Sequence, residues 1–121
     1  MIKQLRNNNV PCRNFAESQD LHDVCKVLLL RMLRRKHPDS NKVAIYSEYF
    51  PDFENKLYPD IYLDLGKDEK YVFEIQDKWS KDWEMKQSEA YDGYANLVVI
   101  KLKEVPSCIK EIKKYLEGFL L

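Results

Sequence analysis

Two carboxylates with thirteen residues between them, Asp60 and Glu74, stand in short runs of alternating character, IYLDL following Pro59-Asp60 and YVFEIQDK. Strand side chains point alternately to two faces, so Asp60, Tyr62 and Asp64 share one face of the first run, and Glu74, Gln76 and Lys78 share one face of the second. The opposite faces carry Ile61, Leu63 and Leu65 with Tyr71, Phe73 and Ile75, which require a core. GKDEK between the runs has the length of a hairpin connection, and in a hairpin the two polar faces lie side by side. Asp60 then approaches Glu74 or Gln76 according to register. Two carboxylates beside a core repel each other unless a cation joins them. Hard oxygen ligands of this kind, with water and a main-chain carbonyl, suit Mg²⁺ or Mn²⁺.

The elements around this hairpin must hold it in place. From about Asn14 to Lys36 the spacing of Phe15, Leu21, Val24, Leu28 and Met32 predicts the longest helix, stopped by His37-Pro38-Asp39. One turn back from Leu21 this stripe reaches Glu17, which places a carboxylate at the edge of the core, although an acid at a helix start also answers the macrodipole. VAIYSEYF reads as a strand, PDFENKL as a loop, and the two runs of the hairpin follow. Ser80 is placed to cap a helix through KDWEMKQSEAYD to Gly93, with Trp83, Gln87, Ala90 and Tyr94 on one side. NLVVIKL is a buried strand reached by a parallel crossover. Pro106 and Ser107 open a last helix with Ile109, Ile112, Leu116 and Phe119 facing inward. The order α-β-β-β-α-β-α defines an α/β sandwich with a mixed sheet of about four strands.

The chain has 121 residues, 45% of them hydrophobic, enough for one core and one domain over 1–121, with residues 1–13 as an N-terminal arm. Twenty basic residues balance twenty acidic ones, so any nucleic-acid contact rests on a local patch rather than on bulk charge. The run RMLRRK supplies one, through Arg31, Arg34, Arg35 and Lys36, suited to backbone phosphates or to the solvated C-terminal end of a helix. Trp79 and Trp83 are candidates for stacking on bases, or anchors of a core. No signal peptide or membrane span is expected, and Cys12, Cys25 and Cys108, odd in number and widely spaced, suit idle thiols in a reducing, intracellular setting. Compact size fits a microbial or viral genome. No zinc motif, phosphate-binding glycine loop or hydrolase triad is present.

Pro59-Asp60, thirteen intervening residues and Glu74-Ile75-Gln76, in a hairpin followed by a helix and a further strand, resemble the PD-(D/E)xK or restriction-endonuclease-like nuclease superfamily. In layout the chain looks most like the archaeal Holliday-junction resolvases and related small nucleases. The resemblance implies a three-layer sandwich and a metal-dependent endonuclease acting on DNA, branched or junction DNA included, as a homodimer. It also implies that Asp60 and Glu74 ligate Mg²⁺ or Mn²⁺ through their side chains and Ile75 through its carbonyl. Glu17 corresponds to the additional acid such nucleases carry on their first helix, with Glu48 as its rival. Gln87 and Tyr91 form a Q-x-x-x-Y spacing similar to a motif of the RecB-like branch. Gln76 departs from the pattern, standing where the family usually has a lysine that positions the attacking water; an amide binds water but brings no charge. Lys78, two residues along the same face, is the second candidate for that role. The alternative is a catalytically inactive nuclease-fold module that binds nucleic acid or a protein partner.

Overall fold

A computed structural model of the chain describes residues 18–49 and 57–121; the expected arm and Glu17 lie outside them. The described residues form α1 (Ser18–Lys36), β1 (Ala44–Ser47), β2 (Ile61–Asp64), β3 (Lys70–Gln76), α2 (Lys81–Tyr91), β4 (Asn96–Lys101), a 3₁₀ turn (Leu102–Glu104) and α3 (Ile109–Glu117). The strands lie in the order β1-β2-β3-β4, with the first two pairings antiparallel and β3–β4 parallel. The chain is thus an α/β sandwich with a mixed four-stranded sheet between helical layers, in the expected element order.

Period-two alternation divides the apolar residues between the two faces of the sheet. Ile61, Leu63, Phe73, Ile75 and Ile100 meet Cys25, Leu29 and Leu33 of α1 and Ile112 and Leu116 of α3 in the larger core. Each fully buried leucine there is worth roughly 1.5–3 kcal/mol. The other face is not the solvated polar surface that the sequence suggests: Tyr62, Val72 and Tyr91 form a second, smaller core with Leu57, Ala95 and Leu97. In α2 the buried side chain is Tyr91, whereas Trp83, Gln87 and Ala90 are half-buried and Tyr94 is exposed.

The phase of α1 also differs from the expected one. Its fully buried stripe is Cys25, Leu29 and Leu33, while Leu21, Val24, Leu28 and Met32 are only partly covered. The helix packs against both the sheet and α3, so two adjacent apolar stripes are in use and the sheet-facing one is the deeper. Cys25 is a free thiol, pushed up to about 11 by burial. Cys108 is disulfide-bonded, contrary to the expectation of three idle thiols. No helix among the described residues is long and apolar enough to cross a membrane.

Local chemistry fixes the ends of the elements that carry the hairpin. The Asp64 carboxylate accepts the Gly66 amide at 2.9 Å, and Gly66, Lys67 and Asp68 all take positive φ, which turns β2 into β3. Asp64 therefore serves the turn. The Ser80 hydroxyl accepts the Trp83 amide at 3.1 Å and caps α2; Gly93, at φ 81°, ends it. Ser80→Ala is expected to cost about 1 kcal/mol, read as a Tm lower by a few degrees, with Ser80→Asp restoring it.

Candidate active site

The β2–β3 register pairs Ile61 with Phe73, and one further step along both strands sets Asp60 across from Glu74. The sequence left Asp60 a choice between Glu74 and Gln76, and the register decides for Glu74. Ile75 donates its amide to Asp60 Oδ2 at 2.7 Å, which locks the carboxylate against the start of the motif. The other oxygen, Oδ1, lies 3.1 Å from His22 Nε2 and accepts from it when that nitrogen carries the hydrogen. Each carboxylate oxygen can accept more than one bond, so both still have a lone pair to offer.

Glu74 is held from the opposite layer. The Tyr91 hydroxyl, at the C-terminal end of α2, donates to Glu74 Oε1 at 3.4 Å. Burial drives the Glu74 carboxyl upward first, and the Asp60 charge adds to it; the Tyr91 hydrogen bond offsets part, leaving the group at about 7. Tyr91 is itself pushed upward by burial and by the charge of Glu74. Burial leads in both cases and the neighbouring negative charge adds to it, a setting in which binding a cation is favourable.

These groups line an open cleft of about 380 Å³ whose wall includes Gln19, His22, Asp60, Glu74, Gln76 and Lys78. Gln76 Nε2 donates to the Lys78 carbonyl at 3.2 Å, bending the chain where β3 ends. Lys78 thus leaves the strand instead of continuing its face, yet it remains on the rim of the same cleft.

Of the residues singled out from sequence, Asp60, Glu74, Ile75, Gln76 and Lys78 come together here, and Tyr91 joins them as the partner of Glu74. Gln87 is half-buried on α2, one turn before Tyr91. The basic run is elsewhere: Arg31 lies nine residues beyond His22 on α1, about 13 Å along the helix, and Arg34, Arg35 and Lys36 lie further still. Arg31 and Arg35 line a separate recess with Lys113 and Glu117 of α3. Glu48 forms an ion pair with Lys26 at 3.5 Å. Trp79 is already engaged, with Lys101 Nζ 3.6 Å from its ring centroid and its indole N–H donated to Glu84 at 2.8 Å. Trp83 is half-buried at the start of α2.

His22 is the site residue that the sequence left without a role: one turn from Cys25 on the first helix it suggested a zinc ligand, and no C-x-x-C partner pair for zinc exists. It stands one turn before Cys25, on the stripe that continues to Leu29 and Leu33, so the correct helix phase would have aimed it at the end of the sheet. Among the described residues no group of three or more His, Cys, Asp or Glu side chains is placed to hold a metal ion. Among the described residues the carboxylates paired at the cleft are Asp60 and Glu74, to which a main-chain oxygen can be added. Two carboxylates, one carbonyl and several waters form a donor set that fits Mg²⁺ or Mn²⁺, which retain much of their hydration, better than zinc. Compared with protein-family models, with curated proteins and with solved structures, the chain finds no match.

Proposed function

We propose that the protein is a metal-dependent endonuclease of the PD-(D/E)xK type, hydrolysing phosphodiester bonds in DNA, branched or junction DNA included. The observation that carries this reading is the pairing of Asp60 with Glu74 at the open end of a hairpin, where burial and then the Asp60 charge raise the Glu74 carboxyl. In the proposed site Asp60, Glu74 and the Ile75 carbonyl hold Mg²⁺ or Mn²⁺. When bound, such an ion supplies Lewis acidity to the phosphate and a water of lowered pKa.

The remaining work belongs to the chain. The Ile75 amide and His22 fix the Asp60 carboxylate, and the Tyr91 hydroxyl fixes Glu74, so neither ligand has to be ordered on binding. Gln76, whose amide nitrogen is donated to the Lys78 carbonyl, keeps its amide oxygen to accept from a water at the cleft, and Lys78 on the rim would bring the positive charge that Gln76 lacks. A homodimer would present two such sites to the two strands of a duplex.

The test is cleavage of labelled single-stranded, duplex and four-way-junction DNA with Mn²⁺ or Mg²⁺. Cutting by the wild type, and a rate raised about tenfold in Gln76→Lys, is the expected result. A second reading, a nuclease-fold module that binds nucleic acid or a protein without cutting, draws on the fact that both Asp60 oxygens and the Gln76 amide already have partners within the chain. It is the correct one if neither the wild type nor Gln76→Lys cleaves any of the substrates.

A further inference from the structure

β1 extends the carboxylate-bearing face of the sheet beyond the reach of α2. Its register pairs Tyr46 with Tyr62, and two residues further on the Glu48 amide donates to the Asp60 carbonyl at 3.3 Å. A row of tyrosines across β1 and β2 therefore runs beside the row that holds Asp60 and Glu74, displaced by one two-residue step of about 7 Å. The two rings of the row are almost parallel, with centroids 6.2 Å apart and an interplanar angle of 10°. Tyr62 is buried at 2% exposure and packs in the small core with Val72 and Tyr91; Tyr46, supported by it on one side, is 46% exposed. Tyr49 meets Tyr46 edge-on, with centroids 5.0 Å apart and planes at 61°, and is 41% exposed.

A cross-strand tyrosine pair stabilises a sheet wherever it occurs. That role accounts for Tyr62 and for one face of Tyr46. It does not account for a second exposed ring set against Tyr46 at a steep angle, which makes a corner with an aromatic floor and an aromatic wall. Tyr91 of α2 covers the same sheet face over Tyr62 and Val72, and Tyr46 and Tyr49 stand outside that small core with exposed rings.

We propose that Tyr46 and Tyr49 form a stacking platform for an unpaired nucleobase, that of a nucleotide adjoining the phosphate held at Asp60 and Glu74. This rests on the nuclease reading for the position of the phosphate, and it adds a substrate class: a strand with at least one base out of its duplex stack. A paired base has both faces covered and offers nothing to the platform, whereas any unpaired base presents a π-face. The contact selects for strand structure and is tolerant of sequence. Tyrosine also takes over the aromatic role that the sequence suggested for Trp79, whose ring is occupied by Lys101.

The test uses the full chain and two kinds of substrate. Binding of a fluorescent oligothymidylate, with Ca²⁺ in place of Mn²⁺, is measured by anisotropy for wild type, Tyr46→Ala and Tyr46→Phe, with a duplex of the same length and an oligouridylate as further arms. In parallel, Mn²⁺-dependent hydrolysis of bis(para-nitrophenyl) phosphate, which has a phosphodiester but no nucleobase, is followed for the same proteins. Tyr46→Ala is expected to bind the oligothymidylate about tenfold more weakly, Tyr46→Phe as wild type, and duplex binding to be unaffected. Hydrolysis of the small ester should be unchanged in Tyr46→Ala, which also shows that this half-exposed position can be truncated without loss of the fold. Equal affinity of wild type and Tyr46→Ala, or no binding of single strands by wild type, overturns the platform even where the ester is cleaved. Tyr46-dependent binding without ester hydrolysis upholds the platform and removes the catalytic reading. A Tyr46 effect shared by oligouridylate extends the ligand class to RNA.

Discussion

Asp60→Asn is expected to lower Mn²⁺-dependent phosphodiester hydrolysis by about a thousandfold or more while leaving the fold as stable as wild type. Asparagine keeps the shape of the side chain and an oxygen that accepts the Ile75 amide, the 2.7 Å bond that ties the start of β2 to the end of β3. Its amide nitrogen can donate to His22 Nε2 in the other ring tautomer, so both local contacts survive. What is lost is the negative charge, and with it the affinity for a divalent ion that the proposed reading gives the cleft, which would be worth several kcal/mol of transition-state stabilisation. Asp60→Ala is the informative contrast. It removes the charge and also strands the Ile75 amide, a cost of about 1–3 kcal/mol that should appear as a lower Tm. Activity of Asp60→Asn within tenfold of wild type would remove Asp60 from the chemistry and leave it a structural cap.

Much of this site was legible in the sequence because strands declare their faces. Alternation in IYLDL and YVFEIQDK separates Ile61, Leu63, Phe73 and Ile75 from Asp60 and Glu74 with no knowledge of the third dimension, and the structure places these sets as that alternation requires. Register was open, since Asp60 faces Glu74 or Gln76 depending on how Gly66, Lys67 and Asp68 turn the chain, and positive φ at three successive residues is not written in composition. Helices declare less. In α1 the sets Leu21–Val24–Leu28–Met32 and Cys25–Leu29–Leu33 are both apolar, and which one faces the sheet depends on where α3 packs. That ambiguity left His22 without a role at the carboxylates. The burial of Tyr62 and Tyr91 escaped for a related reason: a face bearing Asp60, Asp64 and Glu74 reads as solvated until α2 is laid across half of it. The covered half makes Glu74 costly to ionise, and the uncovered half leaves Tyr46 exposed.

The cost at Glu74 gives a second large effect, with a sign opposite to that of most acidic residues. Its carboxyl stands at about 7 in the folded chain against an ordinary value of 4.5, raised by burial and then by Asp60. The folded state therefore holds a proton that the unfolded state releases between those two values, and stability falls as pH rises through that window. Below about pH 4.5 the contribution is fully present; above about pH 7 it is lost, a difference of at most ~3 kcal/mol. Glu74→Gln keeps an oxygen to accept the Tyr91 hydroxyl but never ionises. Thermal unfolding should accordingly show the variant several degrees more stable than wild type near pH 8 and indistinguishable from it near pH 4.5. Millimolar Mn²⁺ should reverse the order at the higher pH, because it stabilises only the chain with a carboxylate to bind it and must displace the proton first. Wild type gaining Tm from Mn²⁺ near pH 8 but little near pH 5, with Glu74→Gln gaining none at either, would tie the raised Glu74 carboxyl to the binding of the ion. An Mn²⁺ response that is the same in both proteins would place the ion elsewhere and separate the acidity of Glu74 from metal binding.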